Sequence, residues 1–325
     1  MQAWVLREYG EARDVLDLVD LPVPEPGPHQ TLVEVEGVGI AFPDLLRMRG
    51  EYQITQPFGT PSGSELVGRV VASGEASGFA PGDRIIGNAQ IGDGALAQFA
   101  LVNTHESCVV PETMPMPIAA TLAANYPTAH LALHTRAGLV DDDVVLVTGG
   151  AGGVGSAGSQ LAVAAGARVI AVDLGAERAA RCVEFGAHAA IDSSSQNVAE
   201  EVLAFSEGHG ADVVVDPVGG DVFDQFRRCI ADEGRVVVIG FTSGRIPELR
   251  TNHLILKNYA VMGVNAFSYT SRWADVTREV VELAATGRIA PPIDSVWPFA
   301  SVKDAYTELA EGRVVGRAVV DMRDR

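Results

Sequence analysis

Three glycines, Gly150, Gly152 and Gly155, stand in the spacing G-x-G-x-x-G within Val144 to Gly155, VVLVTGGAGGVG. Backbone free of side chains at that spacing lets a pyrophosphate lie against N–H groups at a helix start, so the chemistry it offers is dinucleotide binding. The setting strengthens the reading. Val144-Val145-Leu146-Val147 reads as a buried parallel strand, and Ser156 to Ala165, rich in Ala, Gly and Leu, reads as the helix that must follow. Gly150 is expected to permit the tight turn, Gly152 to leave room for the phosphate and Gly155 to let helix and strand pack closely. Gly153 and Val154, between them, belong to the same cofactor loop.

A second signal, an acidic one, follows. The helix ends at Ala165-Gly166-Ala167, and Arg168-Val169-Ile170-Ala171-Val172 reads as the next parallel strand, closing with Asp173. A carboxylate about 20 residues beyond the glycine motif is where an adenosine ribose 2′-hydroxyl is read, which favours NADH. A 2′-phosphate there would meet like charge, although Arg178, one helical turn further on, could offset it and admit NADPH. The alternative is that Asp173 caps the following helix.

The elements that must hold these residues come in two textures. From Met1 to about Leu122 the chain carries short β-type runs such as Thr31-Leu32-Val33-Glu34-Val35 and Gly68-Arg69-Val70-Val71-Ala72, punctuated by Pro and Gly. From Ala123 to Asn265 strands and helices alternate, with strands expected at Val144–Val147, Val169–Val172, Ala189–Ile191, Val213–Asp216, Arg235–Ile239 and Ala260–Val264. That rhythm predicts an α/β fold of Rossmann type, a doubly wound parallel sheet of about six strands. The expected organisation is therefore 1–122, a β-rich domain; 123–265, the dinucleotide-binding domain; and 266–325, a segment with a helix at Trp273–Thr286 that returns to the first domain.

Composition sets outer limits. The chain has 325 residues, 47% hydrophobic and 20% charged, enough for two cores. A net charge of -18 opposes nucleic acid and anionic membrane surfaces as partners. No apolar run reaches transmembrane length and MQAWVLREYG lacks a basic-then-apolar leader, so a cytoplasmic protein is expected. Cys108, Cys182 and Cys229 are scattered with no C-x-x-C, which suggests neither a disulfide framework nor a cysteine zinc site. His130 and His134 are spaced i and i+4 but lack the acidic companion of a hydrolytic zinc motif, and read as one turn of helix surface.

Nearly the whole chain resembles the zinc-independent quinone oxidoreductase branch of the medium-chain dehydrogenase/reductase superfamily. The resemblance rests on Pro81-Gly82-Asp83-Arg84-Ile85, the loop Gly149 to Gly155, Phe185-Gly186-Ala187, Val215-Asp216-Pro217-Val218-Gly219-Gly220, and Leu256-Lys257-Asn258-Tyr259 with Gly263-Val264-Asn265. It implies a GroES-like catalytic domain, a Rossmann domain, an active site in the cleft between them, and a homodimer, for which the strand Ala260–Val264 offers an edge. It also implies hydride transfer from NADPH to a quinone, an enone or another conjugated carbonyl. Zinc-using relatives place Cys, His and Cys where this chain has Ala41, Ser64 and Ala124, none able to ligate zinc, and Ile86 to Thr104 lacks the structural-zinc cysteines.

The same resemblance nominates site residues. Tyr52 matches the family's cleft tyrosine and could donate a hydrogen bond or proton to the acceptor; otherwise it packs at a loop end. Asp44 also matches, and after Pro43 it could instead start a helix. Thr128 matches a position that hydrogen-bonds the nicotinamide region, and Asn265 and Arg317 fall near the cofactor, where Arg317 could pair with a pyrophosphate or ribose oxygen; the alternatives for the last two are a turn asparagine and a solvated arginine. Gly240 and Phe241 follow a strand's carboxyl end, where open α/β sheets bind ligands. Many relatives carry Asn where Ala41 stands and Tyr where Leu46 stands, so a more hydrophobic acceptor is in view. Two other readings remain open: an enoyl-thioester reductase, and a non-catalytic nucleotide-binding structural or regulatory protein.

Overall fold

Two hydrophobic patterns produce two cores. In the computed structural model, which describes residues 1–90 and 92–324, one unit comprises Met1–Ala124, Thr270–Thr286 and the chain from Ile293 onward, and the other comprises Asn125–Tyr269 and Gly287–Pro292. The divisions thus fall slightly beyond the expected 122 and 265. The segment 266–325 is also not of one piece, because 287–292 belongs with the dinucleotide-binding side.

In the first unit, β1 (Gln2–Leu6) and β2 (Leu16–Asp20) form an antiparallel ribbon. Then β3 (Gln30–Gly39), β4 (Glu65–Ser73), β5 (Arg84–Ala89) and β6 (Phe99–Val109) pair antiparallel in succession, and β3 pairs again with β6, which closes the sheet on itself. Register shifts along the β3–β4 pairing, between Leu32 and Val33 and between Val35 and Gly37, give β3 the extra twist that closure requires. The strand Arg317–Asp321 adds antiparallel to β3, with Ile293–Pro298 parallel outside it. Alternating apolar positions then meet inside, where Trp4, Leu6, Val33, Leu66, Ile85 and Tyr306 share one core. Each such fully buried apolar side chain contributes about 1.5–3 kcal/mol. The helix expected at Trp273–Thr286 spans Thr270–Ala285 and packs on β6.

In the second unit, β7 (Val144–Thr148), β8 (Arg168–Asp173), β9 (Ala189–Asp192), β10 (Ala211–Asp216), β11 (Ile230–Val238) and β12 (Ala260–Gly263) form a six-stranded parallel sheet in the order β12-β11-β10-β7-β8-β9. Every residue of β7 is buried, as a strand covered on both faces must be. Strand order reverses between β7 and β10, and that switch point is where an open α/β sheet leaves a crevice for a ligand. The core beneath it includes Leu146, Ile170, Ile191, Val214, Phe226 and Val236. Strand β12 lies at the edge of the sheet, as expected. The helix Asn125–His130 runs on through a π-helical turn, Leu131–Arg136, which brings the rings of His130 and His134 to 4.4 Å. His130 is buried, so the pair is not the exposed helix turn its spacing suggests.

Asp192, at the end of β9, holds several loop groups at once. Its carboxylate accepts from the Ser194 hydroxyl at 2.6 Å and amide at 2.9 Å, from the Gly175 amide at 2.8 Å and from the Ser195 hydroxyl at 2.9 Å. These donors, the Ser194 hydroxyl foremost, pull its pKa from an ordinary 3.8 down to about 2. A depressed carboxyl stabilises the fold above its unfolded pKa and loses that contribution as pH falls through the folded value. Asp192→Asn is therefore expected to melt below the wild type at neutral pH, with the gap closing as pH falls from 3.8 to about 2. Circular dichroism melts at stepped pH measure this, and a gap constant with pH would refute it.

Candidate active site

The dinucleotide half begins where β7 stops. The Thr148 hydroxyl donates to Asp216 at 2.6 Å, and the same Asp216 oxygen accepts from the amides of Val218 at 3.1 Å and Gly219 at 3.0 Å. One buried carboxylate therefore ties the carboxyl ends of β7 and β10 across the switch point. Burial pushes its pKa up, while the hydroxyl and the amides pull the other way.

The glycines of the loop divide the work differently from their expected roles. The left-handed turn is made by Gly149, at φ 60°, and not by Gly150. Gly150 is required for packing, since a Cβ there would stand 2.7 Å from the Ala171 Cβ and 2.8 Å from the Cys182 Sγ. A Cβ on Gly155 would lie 2.0 Å from the Gly149 carbonyl oxygen, so helix and loop touch backbone to backbone, as expected. A Cβ on Gly152 would meet only the Gly149 oxygen, at 3.3 Å, and otherwise open space. Gly152 is the N-cap of the helix Gly153–Ala164, which starts earlier than the expected Ser156, and neither a capping side chain nor an acidic residue serves its first turn. The amides of Gly153, Val154 and Gly155 then have no acceptor inside the helix, and with the helix dipole they form an anion cradle. This loop fits a dinucleotide pyrophosphate.

Asp173 is drawn to the same loop. One carboxylate oxygen accepts from the Ala151 amide at 2.8 Å, and the other from the Leu174 amide at 2.8 Å and the Arg178 Nε at 2.9 Å. The following helix, Ala176–Glu184, is capped by Gly175, so capping is not the role of Asp173. Gly240 and Phe241 follow β11 and lie over the turn after β10: the Thr242 amide donates to the Pro217 carbonyl at 3.1 Å, and a Cβ on Gly219 would stand 3.0 Å from the Phe241 ring. Thr128 is half-buried on the helix Asn125–His130. Asn265 is exposed, and its side-chain oxygen accepts from the Phe267 amide at 3.2 Å, which is the turn-forming alternative for that residue.

The other unit gathers a second constellation. Asp44 sits at the third position of the helix Phe42–Arg49 and reaches back to accept from the Ala41 amide at 3.2 Å, half of a capping box because alanine returns nothing. It also accepts from the Tyr306 hydroxyl at 3.1 Å, from the Arg47 Nη1 at 3.4 Å and, in a short bond, from the Ser64 hydroxyl. Burial raises its pKa against the pull of Arg47, Ser64 and Tyr306. Buried among these partners, Asp44 makes the helix-starting contact that was the alternative reading for it. Tyr52 follows the helix, half-buried, with the Arg47 guanidinium 4.9 Å from its ring centroid. Burial is the main cause that lifts its phenol above 10.0, and Arg47 partly opposes this.

Arg317, nominated beside the cofactor, is paired within the first unit. Its guanidinium is 3% exposed, forms a short ion pair with the fully buried Glu65 and donates from Nη2 to the Ile40 carbonyl at 3.2 Å. Glu65 also accepts from the Ala124 amide at 3.0 Å. Removing one partner of such a pair strands the other charge, at a cost of about 3–5 kcal/mol. At the positions nominated for zinc, Ser64 bonds Asp44 and the Arg47 Nη1, the latter at 2.5 Å, and Ala124 offers only its amide. Among the described residues no cluster of three or more His, Cys, Asp or Glu is placed to hold a metal ion.

Comparison with known proteins agrees with both halves. Residues 27–114 match the family described as alcohol dehydrogenase GroES-like domain, and residues 153–284 match zinc-binding dehydrogenase. The quinone oxidoreductase-like protein 2 homolog of Nematostella vectensis is 33% identical over 307 residues, covering 91% of this chain and 83% of its own length. This chain belongs to the quinone oxidoreductase family of medium-chain dehydrogenases/reductases. The mouse quinone oxidoreductase-like protein 2 is 31% identical over 303 residues, covering 91% of this chain and 86% of its own length. The solved structure of mycobacterial Rv1454c complexed with NADPH superposes with a TM-score of 0.90 at 28% identity, over 99% of this chain and 100% of that one. As a family member the protein is an NAD(P)H-dependent oxidoreductase with a nicotinamide cofactor. Among the described residues no helix is long and apolar enough to cross a membrane.

Sequence reasoning overlooked Arg47, Tyr306 and Asp216 as site-organising residues. Arg47 carried one usable signal, its i,i+3 spacing from Asp44 on a short helix. Tyr306 carried none, 262 positions away from the carboxylate it serves. The glycine geometry separates two substitutions. Gly155→Ala is expected to break the loop, lowering the melting temperature and abolishing dinucleotide binding, whereas Gly152→Ala is expected to fold normally and weaken binding by about tenfold or more, over 1.4 kcal/mol. Calorimetric titration and melting of both variants decide it, and equal behaviour would count against the assignment.

Proposed function

We propose that this oxidoreductase reduces quinones or α,β-unsaturated carbonyl compounds without zinc, with Tyr52 as the donor to the acceptor oxygen. The observation that carries the reading is the half-buried Tyr52 phenol beside the Arg47 guanidinium, in a unit whose positions 41, 64 and 124 offer no thiolate, imidazole or carboxylate. A bound nicotinamide dinucleotide supplies a hydride. Negative charge that develops on the acceptor oxygen must then be met by ordinary donors, and a conjugated acceptor eases this by spreading the charge. The Tyr52 phenol remains a donor across neutral pH because its pKa lies above 10.0. It gives the acceptor the proton that completes a two-electron reduction and regains it from solvent.

For the cofactor we infer a preference for NADH. Asp173 puts a carboxylate beside the glycine loop, where a 2′-phosphate would meet like charge, and its pairing with Arg178 at 2.9 Å moderates that penalty without removing the group. Asp173→Asn is expected to move the ratio of NADPH to NADH kcat/KM upward by about tenfold, which is 1.4 kcal/mol. A ratio unmoved by the change would remove Asp173 as the reader.

Initial rates with chelator-treated protein test the main reading, using a naphthoquinone and an aliphatic enone as acceptors. Turnover of both is expected to survive chelation, and Tyr52→Phe is expected to lower kcat by about 100-fold, within the usual range for a lost acid catalyst. Zinc-dependent turnover would overturn the metal-free mechanism. Faster reduction of an acyl thioester than of either acceptor would favour an enoyl-thioester reductase, to which the apolar Ala41 and Leu46 are suited. Nicotinamide binding without any turnover would favour the non-catalytic reading.

A further inference from the structure

We infer that the second unit carries a binding site for a phosphorylated polar small molecule, separate from the dinucleotide crevice. The site is a groove of about 470 Å³ that opens to solvent, within the roughly 300–1,000 Å³ of small-molecule sites. One wall is the turn 194–197, which follows β9, and the other is formed by Asp224 and Gln225 on the helix Gly220–Phe226 and by Arg227 and Arg228 just beyond it. No residue of the glycine loop lines it, nor do Asp173, Gly240 or Phe241. No apolar side chain is among its described lining residues either, so a ligand that is polar throughout suits it and an apolar one does not.

The charges say what kind of ligand fits. The chain has 42 acidic residues to 24 basic, yet the arginines of this groove have no acidic partner. Arg227 spends only its Nε, on the Asp224 carbonyl at 3.2 Å, and the Arg228 side chain bonds no described residue. Asp224 is the one carboxylate among the described lining residues, and Arg245 takes it, donating from Nη2 at 2.6 Å. Glu200, beyond the turn, accepts from the Asn197 Nδ2 at 2.8 Å. The Gln225 side-chain amide bonds no described residue, and Gln196 uses only its oxygen, which accepts from the Asp192 amide at 2.9 Å. Two open guanidiniums and two amides present more N–H groups than the pair of oxygens in a carboxylate can accept. A phosphate monoester, with three terminal oxygens and nearly two negative charges, matches them. On the facing wall the Ser194 and Ser195 hydroxyls donate to Asp192 at 2.6 and 2.9 Å, so their oxygens remain acceptors for ligand hydroxyls. The same bonds fix that wall before a ligand arrives, which lowers the ordering cost of binding. A sugar phosphate satisfies both walls.

The test is a binding titration of the purified protein, saturated with the nicotinamide dinucleotide so that the glycine loop is occupied, with glucose 6-phosphate as probe and glucose as control. Glucose 6-phosphate is expected to bind at a single equivalent, and glucose about tenfold or more weakly than that. Replacing both arginines, Arg227→Gln with Arg228→Gln, is expected to weaken the sugar phosphate by about tenfold or more while dinucleotide affinity stays unchanged. In the wild type the probe is also expected to slow phenylglyoxal modification of Arg228, read by peptide mass spectrometry, which tests the location even where the double variant fails to fold. No binding at millimolar probe, binding that the double variant retains, unprotected Arg228, or binding that disappears once dinucleotide is bound each overturns the inference, and none of these outcomes touches the oxidoreductase reading.

Discussion

Backbone touches backbone at Gly155, and much of the second unit follows from that contact. With the Gly149 oxygen only 2.0 Å from where a Cβ would stand, the helix Gly153–Ala164 can begin immediately behind β7. That closeness places the helix's unpaired first-turn amides at the switch point between β7 and β10. Asp173 then ties the end of β8 to this loop through the Ala151 amide, and Asp216 ties the end of β10 to Thr148 at the end of β7. A steric requirement at one residue is thereby converted into an electrostatic feature, a patch of partial positive charge suited to phosphate.

The first unit manages charge in a different way. It buries two acid–base pairs, Asp44 with Arg47 and Glu65 with Arg317, where apolar residues would be the simpler solution. Each carboxylate draws an extra partner from chain far off in sequence, Tyr306 in one case and the Ala124 amide in the other. Buried ion pairs of this kind add little net stability, but they fix geometry, because any displacement leaves a charge unpaired in a medium of low dielectric. The consequence is that Arg47, tied to Asp44 and Ser64, is held beside the Tyr52 ring.

Legibility differed between the two units for identifiable reasons. The parallel sheet could be read strand by strand because a strand buried on both faces is a continuous apolar run, and β7 through β12 appear near their expected positions. The glycine motif was legible because its requirements are local. Assigning roles among the glycines was not, since the neighbours of Gly150, Ala171 and Cys182, come from the next strand and helix. Asp173 shows the same limit: its position suggested ribose or helix cap, while its bond to Ala151 depends on how β8 aligns with the loop.

What the sequence determined by itself was the fold class, the cofactor loop and the family, because these depend on periodicity and spacing within a few dozen residues. Tertiary structure alone decided which charged groups are spent and which are open. Arg317, read as a cofactor neighbour or a solvated arginine, is paired with Glu65, and Asp44, read as a family site residue or a helix start, is enclosed by Ser64, Arg47 and Tyr306. Arg47, given no role by spacing, leaves a buried Nε without a partner. The physical reason is that a charge's availability depends on its solvation and its partners, and in this chain those partners lie up to 262 positions away.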